Sequence, residues 1–303
     1  MDALPVKFYE DVTRLFIGNS ASICSNFPRN FGAVAAETFH SMAFQIILMI
    51  EGQIASNQLC AFYAALASNE DPARFTEVKA RHHRHTHIEI SAQSDEDYPN
   101  NPAALRELVA SARGKNVALQ LETSNLTKEL EECILSFRII TNLMMKTAIS
   151  AKILTILRKI VQKRTLNKLV FPPDHQFDAE TTDLLLDLLK QQQFDRVELP
   201  SNSLSVMRDV FIDWTQNSPQ MVGKRMWCRE TMVNVLAAEL GFRECTAQEE
   251  AHIATLYPIA QGVAHFWIVG QSFKACVLEN PNGNVVYWLF RDDESLYSVV
   301  MFY

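Results

Sequence analysis

Apolar residues recur along this chain in two alternating rhythms. Between residues 103 and 228, runs with apolar positions three and four apart alternate with short runs in which every second residue is apolar. The first rhythm lays an apolar stripe along a helix, and the second puts alternate side chains on one face of a strand. The pattern predicts helices over 103–112, 126–135, 151–163, 179–192 and 204–215. It predicts strands over 85–90, 116–121, 137–145, 166–171, 194–199 and 224–228. Two of the strand runs read as one part used twice. Leu166-Asn-Lys-Leu-Val-Phe-Pro-Pro173 and Phe194-Asp-Arg-Val-Glu-Leu-Pro-Ser201 make Val170 and Glu198 equivalent positions, 28 residues apart (170 to 198). A helix plus a short strand at that period marks a repeat built by stacking, with its strands side by side and parallel.

The flanks read differently. Leu4-Pro5 opens a helix, since proline suits a first turn, and Phe8, Val12 and Leu15 fall on one face before Gly18-Asn19 ends it. A second helix is expected over 30–42, a strand over 44–50 and a short helix over 57–67. Near the other end a helix is expected over 246–257. Two alternating runs then flank Asn280-Pro-Asn-Gly283, where Asn-Gly supplies the positive φ angles of a tight hairpin. The expected fold is α/β. A small helical region over 1–68 precedes, over 69–303, an irregular leucine-rich-repeat-like βα stack with a C-terminal β-hairpin.

Composition narrows the function classes. At 48% hydrophobic and 21% charged the chain is globular. A net charge of −7 disfavours a nucleic-acid binder, which needs a basic surface. The six cysteines form no Cys-x-x-Cys pair and read as reduced, mostly buried thiols. The start lacks the basic and apolar regions of a signal peptide, and no apolar window is long enough to cross a bilayer. A cytoplasmic or nuclear setting is expected, with no membrane partner.

Catalytic signatures are absent: no Gly-x-Ser-x-Gly, phosphate loop, Gly-x-Gly-x-x-Gly or His-Glu-x-x-His occurs. Cys228 and His252 could be imagined as nucleophile and base, but Cys228 ends an apolar strand and reads as core. In His82-His-Arg-His-Thr-His87, a strand would put His83, His85 and His87 on one face, a spacing able to hold zinc. The interleaved Arg81 and Arg84 oppose another cation, so a solvated basic strand edge is the expected role. No cofactor is expected. Lys146, Lys152, Arg158, Lys159, Lys163, Arg164 and Lys168 form a positive stretch, expected on the solvated outer face of a repeat.

Taken in order, several segments resemble the F-box-like proteins greatly expanded in nematodes. They are Met1-Asp2-Ala3-Leu4-Pro5 with Phe8, Val12 and Leu15; Asn30-Phe31-Gly32-Ala33-Val34-Ala35; the repeat pair; Phe211-Ile-Asp-Trp-Thr-Gln-Asn-Ser-Pro219; and the terminal hairpin. The resemblance implies a non-catalytic substrate-binding subunit of an SCF-type ubiquitin ligase. Its N-terminal helices would dock on a Skp-type adaptor and its body would select a protein substrate. Carried over by position, Leu4, Pro5, Val12 and Leu15 would face the adaptor, a small apolar helical face being an ordinary docking surface. The family's leucine-rich turn and basic-Trp segment are replaced here by Phe27-Pro28 and Glu37-Thr-Phe-His40. The same face could instead pack on the repeat body, leaving a repeat scaffold or sensor with no ligase role. A zinc-dependent enzyme is the third reading.

Overall fold

The structure, a computed structural model, describes residues 33, 42–50, 52–61, 82–91, 101–201, 203–229, 233–256, 273–291 and 297–303. The chain divides into two compact units, Met1–Ala118 and Leu119–Tyr303. The expected boundary at 68/69 falls outside the described residues. So do the first expected helix and, apart from helical Ala33 and Met42, which begins a strand, the second.

In the first unit, β1 (Met42–Ile50) and β2 (Gln53–Ala61) form an antiparallel hairpin turned at Gly52, whose φ of 74° suits glycine. β3 (His82–Ser91) runs parallel to β1 and pairs Ile47 with Ile88 and Met49 with Ile90, all four buried. α1 (Pro102–Ala112) starts where the Asn101 side chain accepts from Ala103 N, and it buries Ala104, Leu108 and Ala112. Side-chain bonds tie it to the strands. The hydroxyl of fully buried Thr86 donates to Ser111 O (3.2 Å), and Asn57 Nδ2 donates to Glu107 Oε1 (2.7 Å).

The short helix expected over 57–67 is corrected: as far as Ala61 the chain is strand. Asn57, Leu59 and Cys60 face Ile47, Gln45 and Phe44 across the ladder. Pairing along β1 outweighs the weak helical preference of the Leu- and Ala-containing sequence.

The second unit takes up at β4 (Asn116–Leu121), which crosses the division. There follow α2 (Lys128–Ser136), β5 (Ile140–Met145), α3 (Ala151–Gln162), β6 (Lys168–Val170), α4 (Ala179–Leu189), β7 (Arg196–Leu199), α5 (Leu204–Met221) and β8 (Arg225–Arg229). β5 to β8 are parallel neighbours, and Val170 and Glu198 are register partners, as their equivalence in the repeat requires. Three of the repeat helices have their own start signal. Thr127 and Ser150 cap α2 and α3, and Asp178 with Thr181 forms a reciprocal capping box on α4.

One register row is the core: Leu143, Leu169, Val197, Met226, Val300, Trp288 and Cys276 are neighbours across seven strands, and all are buried. The buried stripes of the helices, such as Ile153, Leu157 and Ile160 on α3 and Leu185, Leu188 and Leu189 on α4, complete it. Aromatic residues thicken it under α5. Phe211 lies 5.6 Å from Trp288 and 6.2 Å from Phe302, and Trp214 lies 6.3 Å from Phe302 (ring centroids).

The tail departs from a plain repeat. After β8 come α6 (Val233–Glu239), β9 (Arg243–Glu244), α7 (Ala247–Leu256), β10 (Phe273–Glu279), β11 (Val285–Arg291) and β12 (Tyr297–Phe302). The expected hairpin is present as β10–β11, with Gly283 at φ 80° in its turn. It does not follow the repeats directly. β12 is inserted between β8 and β11, antiparallel to both, and β9 lies beyond β10, so the order in this unit is β4-β5-β6-β7-β8-β12-β11-β10-β9.

Neighbouring repeats are stitched at their helix ends. A helix leaves its last carbonyls without partners, and here the residue following the next helix supplies donors. Lys163 Nζ, just past α3, donates to the carbonyls of Leu135 (2.6 Å) and Phe137 (2.7 Å) at the end of α2. Gln191 Nε2, just past α4, donates to Val161 O (3.4 Å) of α3. Lys224, just past α5, is buried and donates to the carbonyls of Gln191 (2.8 Å), Gln192 (3.1 Å) and Phe194 (2.5 Å) after α4. The positive stretch read as one outer face is thus divided. Lys163 caps a helix, Arg158 and Lys159 pair with Glu180 (2.8 Å) and Glu131 (3.5 Å), and Lys168 lies on the sheet.

Candidate recognition surface

Strand residues that alternate with the core row point to the opposite face of the sheet. Over β5–β8 this face carries two register rows: Asn142, Lys168, Arg196 and Arg225, beside Met144, Val170, Glu198 and Trp227. Asn142 is exposed and the other seven are half-buried. Continued onto β12, β11 and β10, the same rows become apolar: Met301, Tyr287 and Val277, beside Val299, Leu289 and Ala275. There Ile253 of α7 joins these six in one buried cluster, and Trp227 and Tyr303 border it. One sheet face is therefore covered by α7 at its antiparallel end and presents mixed polar and apolar side chains at its parallel end.

Electrostatics organise the uncovered part. Glu198 Oε1 accepts from Lys168 (2.7 Å) and from Arg196, whose Cζ lies 4.7 Å from the centroid of the Trp227 ring. Asp195 takes both forks of Arg225. Burial alone would raise the pKa of Glu198. Hydrogen bonds from Arg196 and Lys168 outweigh it and hold the carboxyl below its ordinary value. Lys168 is lowered, first by burial and then by the nearby Arg196 charge.

The covering helix has its own anchor. Glu249 Oε2 accepts from Thr246 N (2.7 Å) and Oγ1 (2.9 Å), Thr246 Oγ1 accepts from Glu249 N (3.3 Å), and Arg243 grips the same carboxylate through two bonds (2.9 and 2.7 Å). The Arg243 bond, then the Thr246 backbone bond, hold the carboxyl down at about 2. A folded-state pKa below the unfolded value gives stability that is present above about 4.5 and lost as pH falls through about 2. Glu249→Gln should therefore lower the melting temperature at neutral pH. The variant and wild-type curves should converge as pH drops through that window, read by circular dichroism; parallel curves would contradict the anchor.

A separate cleft of about 590 Å³ lies at the carboxyl ends of β5 and β6, lined by residues of 146–154 and 172–181. His175 stacks on Phe171 (ring centroids 5.3 Å apart) and meets Phe177 edge-on at 4.7 Å, and burial lowers its pKa.

Of the residues singled out in the sequence, Leu4, Pro5, Val12 and Leu15 lie outside the described residues. His83, His85 and His87 lie in β3, but the pairing with β1 shifts register between Ala43 and Phe44, so that these two neighbours face His83 and His85. One side of β3 is paired along its length with β1. Among the described residues, no group of three His, Cys, Asp or Glu side chains could hold a metal ion. Cys228 and His252 are not brought together. Cys228 is buried on the core face of β8, whereas α7, which carries exposed His252, covers the other face. Burial pushes the thiols of Cys133 and Cys245 up to about 11, where little thiolate exists at neutral pH.

Sequence reasoning passed over Arg196, Asp195 and Arg225. The signal for Arg196 and Arg225 was the alternation itself: each stands next to a core residue of its predicted strand, Val197 and Met226, and so belongs to the open face. Compared with known proteins, the chain matches no family model, no curated protein and no solved structure. No helix among the described residues is long and apolar enough to cross a membrane.

Proposed function

We propose that this chain is a non-catalytic protein-recognition module whose body reads its partner with the open face of β5–β8. The observation that supports this is the register. Four parallel strands present two rows of polar and apolar side chains on one face, all half-buried except exposed Asn142, while the buried row Leu143, Leu169, Val197 and Met226 lies on the other. Stacked βα repeats offer such strand faces as extended binding surfaces. A half-buried Trp beside an Arg is the composition of an interface anchor. With the F-box-like resemblance of the N-terminal segment, the role that follows is the substrate-binding subunit of an SCF-type ubiquitin ligase.

The test is reconstitution of the full chain with a Skp-type adaptor, read by size-exclusion chromatography. A one-to-one complex is expected with wild type, and Leu4→Asp or Val12→Asp should abolish it while leaving the thermal melt unchanged. If wild type forms no complex, the ligase role falls and a repeat scaffold with no ligase role stands in its place.

A further inference from the structure

The open face carries like charges in register. Lys168 faces Arg196, and Arg196 faces Arg225, on three adjacent parallel strands. Strand neighbours lie about 4.8 Å apart, and like charges directly opposite each other destabilise a sheet. Elsewhere in this unit several exposed cations have a carboxylate of their own: Lys146 with Glu122, Arg158 with Glu180, Arg208 with Glu239. Here three cations share two carboxylates, since Glu198 serves both Lys168 and Arg196 and Asp195 serves Arg225. Arg196 Nε, moreover, is buried and donates to no acceptor. The fold thus holds a surplus positive charge, at some cost in stability, on a chain whose net charge is −7. Beside the cationic row runs a row that is apolar except at Glu198: Met144, Val170 and Trp227.

The geometry points to an extended peptide rich in Asp or Glu as the partner of this face, its carboxylates over Lys168, Arg196 and Arg225 and its intervening side chains against Val170 and Trp227. The side chains of Lys168, Arg196 and Arg225 keep 27%, 18% and 33% of their surface exposed, enough to be reached from solvent. An incoming carboxylate supplies the negative charge that the row lacks. Electrostatic complementarity of this kind sets partner choice and encounter rate. The inference rests on the open face being the recognition surface, and it names the chemistry that surface selects.

The experiment is fluorescence anisotropy of the full chain with a labelled peptide of alternating Glu and Ala, and with the same peptide carrying Gln for Glu. Saturable binding of the Glu peptide alone is expected, weakening as salt rises. Lys168→Gln with Arg225→Gln should weaken it by about tenfold or more, while Arg208→Gln, on an exposed helical pair, should leave it unchanged. The inference is overturned if wild type does not saturate, if the Gln peptide binds equally well, or if the double variant binds like wild type. It is also overturned if only a phosphoserine version of the peptide binds. Should the double variant fail to fold, the salt titration of wild type decides, and salt-independent binding sinks the inference. The adaptor complex reports separately: adaptor binding without peptide binding overturns only the acidic partner, and the reverse overturns only the ligase role.

Discussion

Replacing Trp288 with alanine will destabilise the 119–303 unit by about 3–5 kcal/mol, the range found for deleting a buried large aromatic side chain. Trp288 is 0% exposed and sits in the middle strand of the β12-β11-β10 ladder, between Val300 and Cys276. Its ring meets Phe242 at 5.4 Å and Phe211 at 5.6 Å, so truncation removes contacts from a strand, from α5 and from the segment after α6 together. Trp288→Phe tests the mechanism. The indole Nε1 is buried with no hydrogen-bond partner, so this change keeps an aromatic ring and removes an unsatisfied donor. It should cost about 1.5 kcal/mol or less. Denaturant unfolding followed by far-ultraviolet circular dichroism measures both, and equal losses for the two variants would refute the packing account.

The second large effect is at Lys224. Lys224→Met keeps the apolar stem and deletes the ammonium, leaving the carbonyls of Gln192 and Phe194 without their donor, while the Gln191 carbonyl keeps Phe194 N (3.1 Å). A buried group left unsatisfied costs about 1–3 kcal/mol, and two that share one partner are not additive, so about 2–3 kcal/mol is expected. Lys163→Met also deletes a donor to two carbonyls, those of Leu135 and Phe137, but Lys163 is half-buried where Lys224 is buried, so it should cost less. Ranking the two variants by denaturant midpoint is the check: a harmless Lys224→Met would show that these helix ends are satisfied by other means. The favourable field of a helix C-terminus adds to both sites.

The parallel body was legible because each repeat carries its whole instruction locally. A capping residue, an apolar stripe and an alternating strand recur at a nearly constant interval, and crossover rules leave little choice of order. The equivalence of Val170 and Glu198 could therefore be read from two short segments. The Asn280–Gly283 turn was legible for the same reason, since positive φ favours few residues. β2 was not. Its Asn57–Ala61 portion contains good helix formers, and only pairing with β1, a partner the local sequence does not name, makes it a strand. β12 was hidden in the same way: alternation identifies a strand, but nothing in Tyr297–Phe302 says that it will enter between β8 and β11. The open face was half legible. Lys168, Arg196 and Glu198 stand at polar positions of predicted strands, but their sharing of charge depends on register, which only the assembled sheet fixes.

The insertion of β12 also orders events in time. During synthesis β7 can receive β8 as soon as α5 has formed, but the other edge of β8 has no native partner until Tyr297–Phe302 emerge, roughly seventy residues later, a long-range closure of the kind that slows folding. In that interval a nascent chain presents an unpaired strand, Arg225-Met-Trp-Cys-Arg229, with two arginines flanking its apolar centre. Charged residues on an edge discourage pairing with other chains. The same arginines that end this strand would then act as its temporary guard, before Arg225 takes its place on the finished surface.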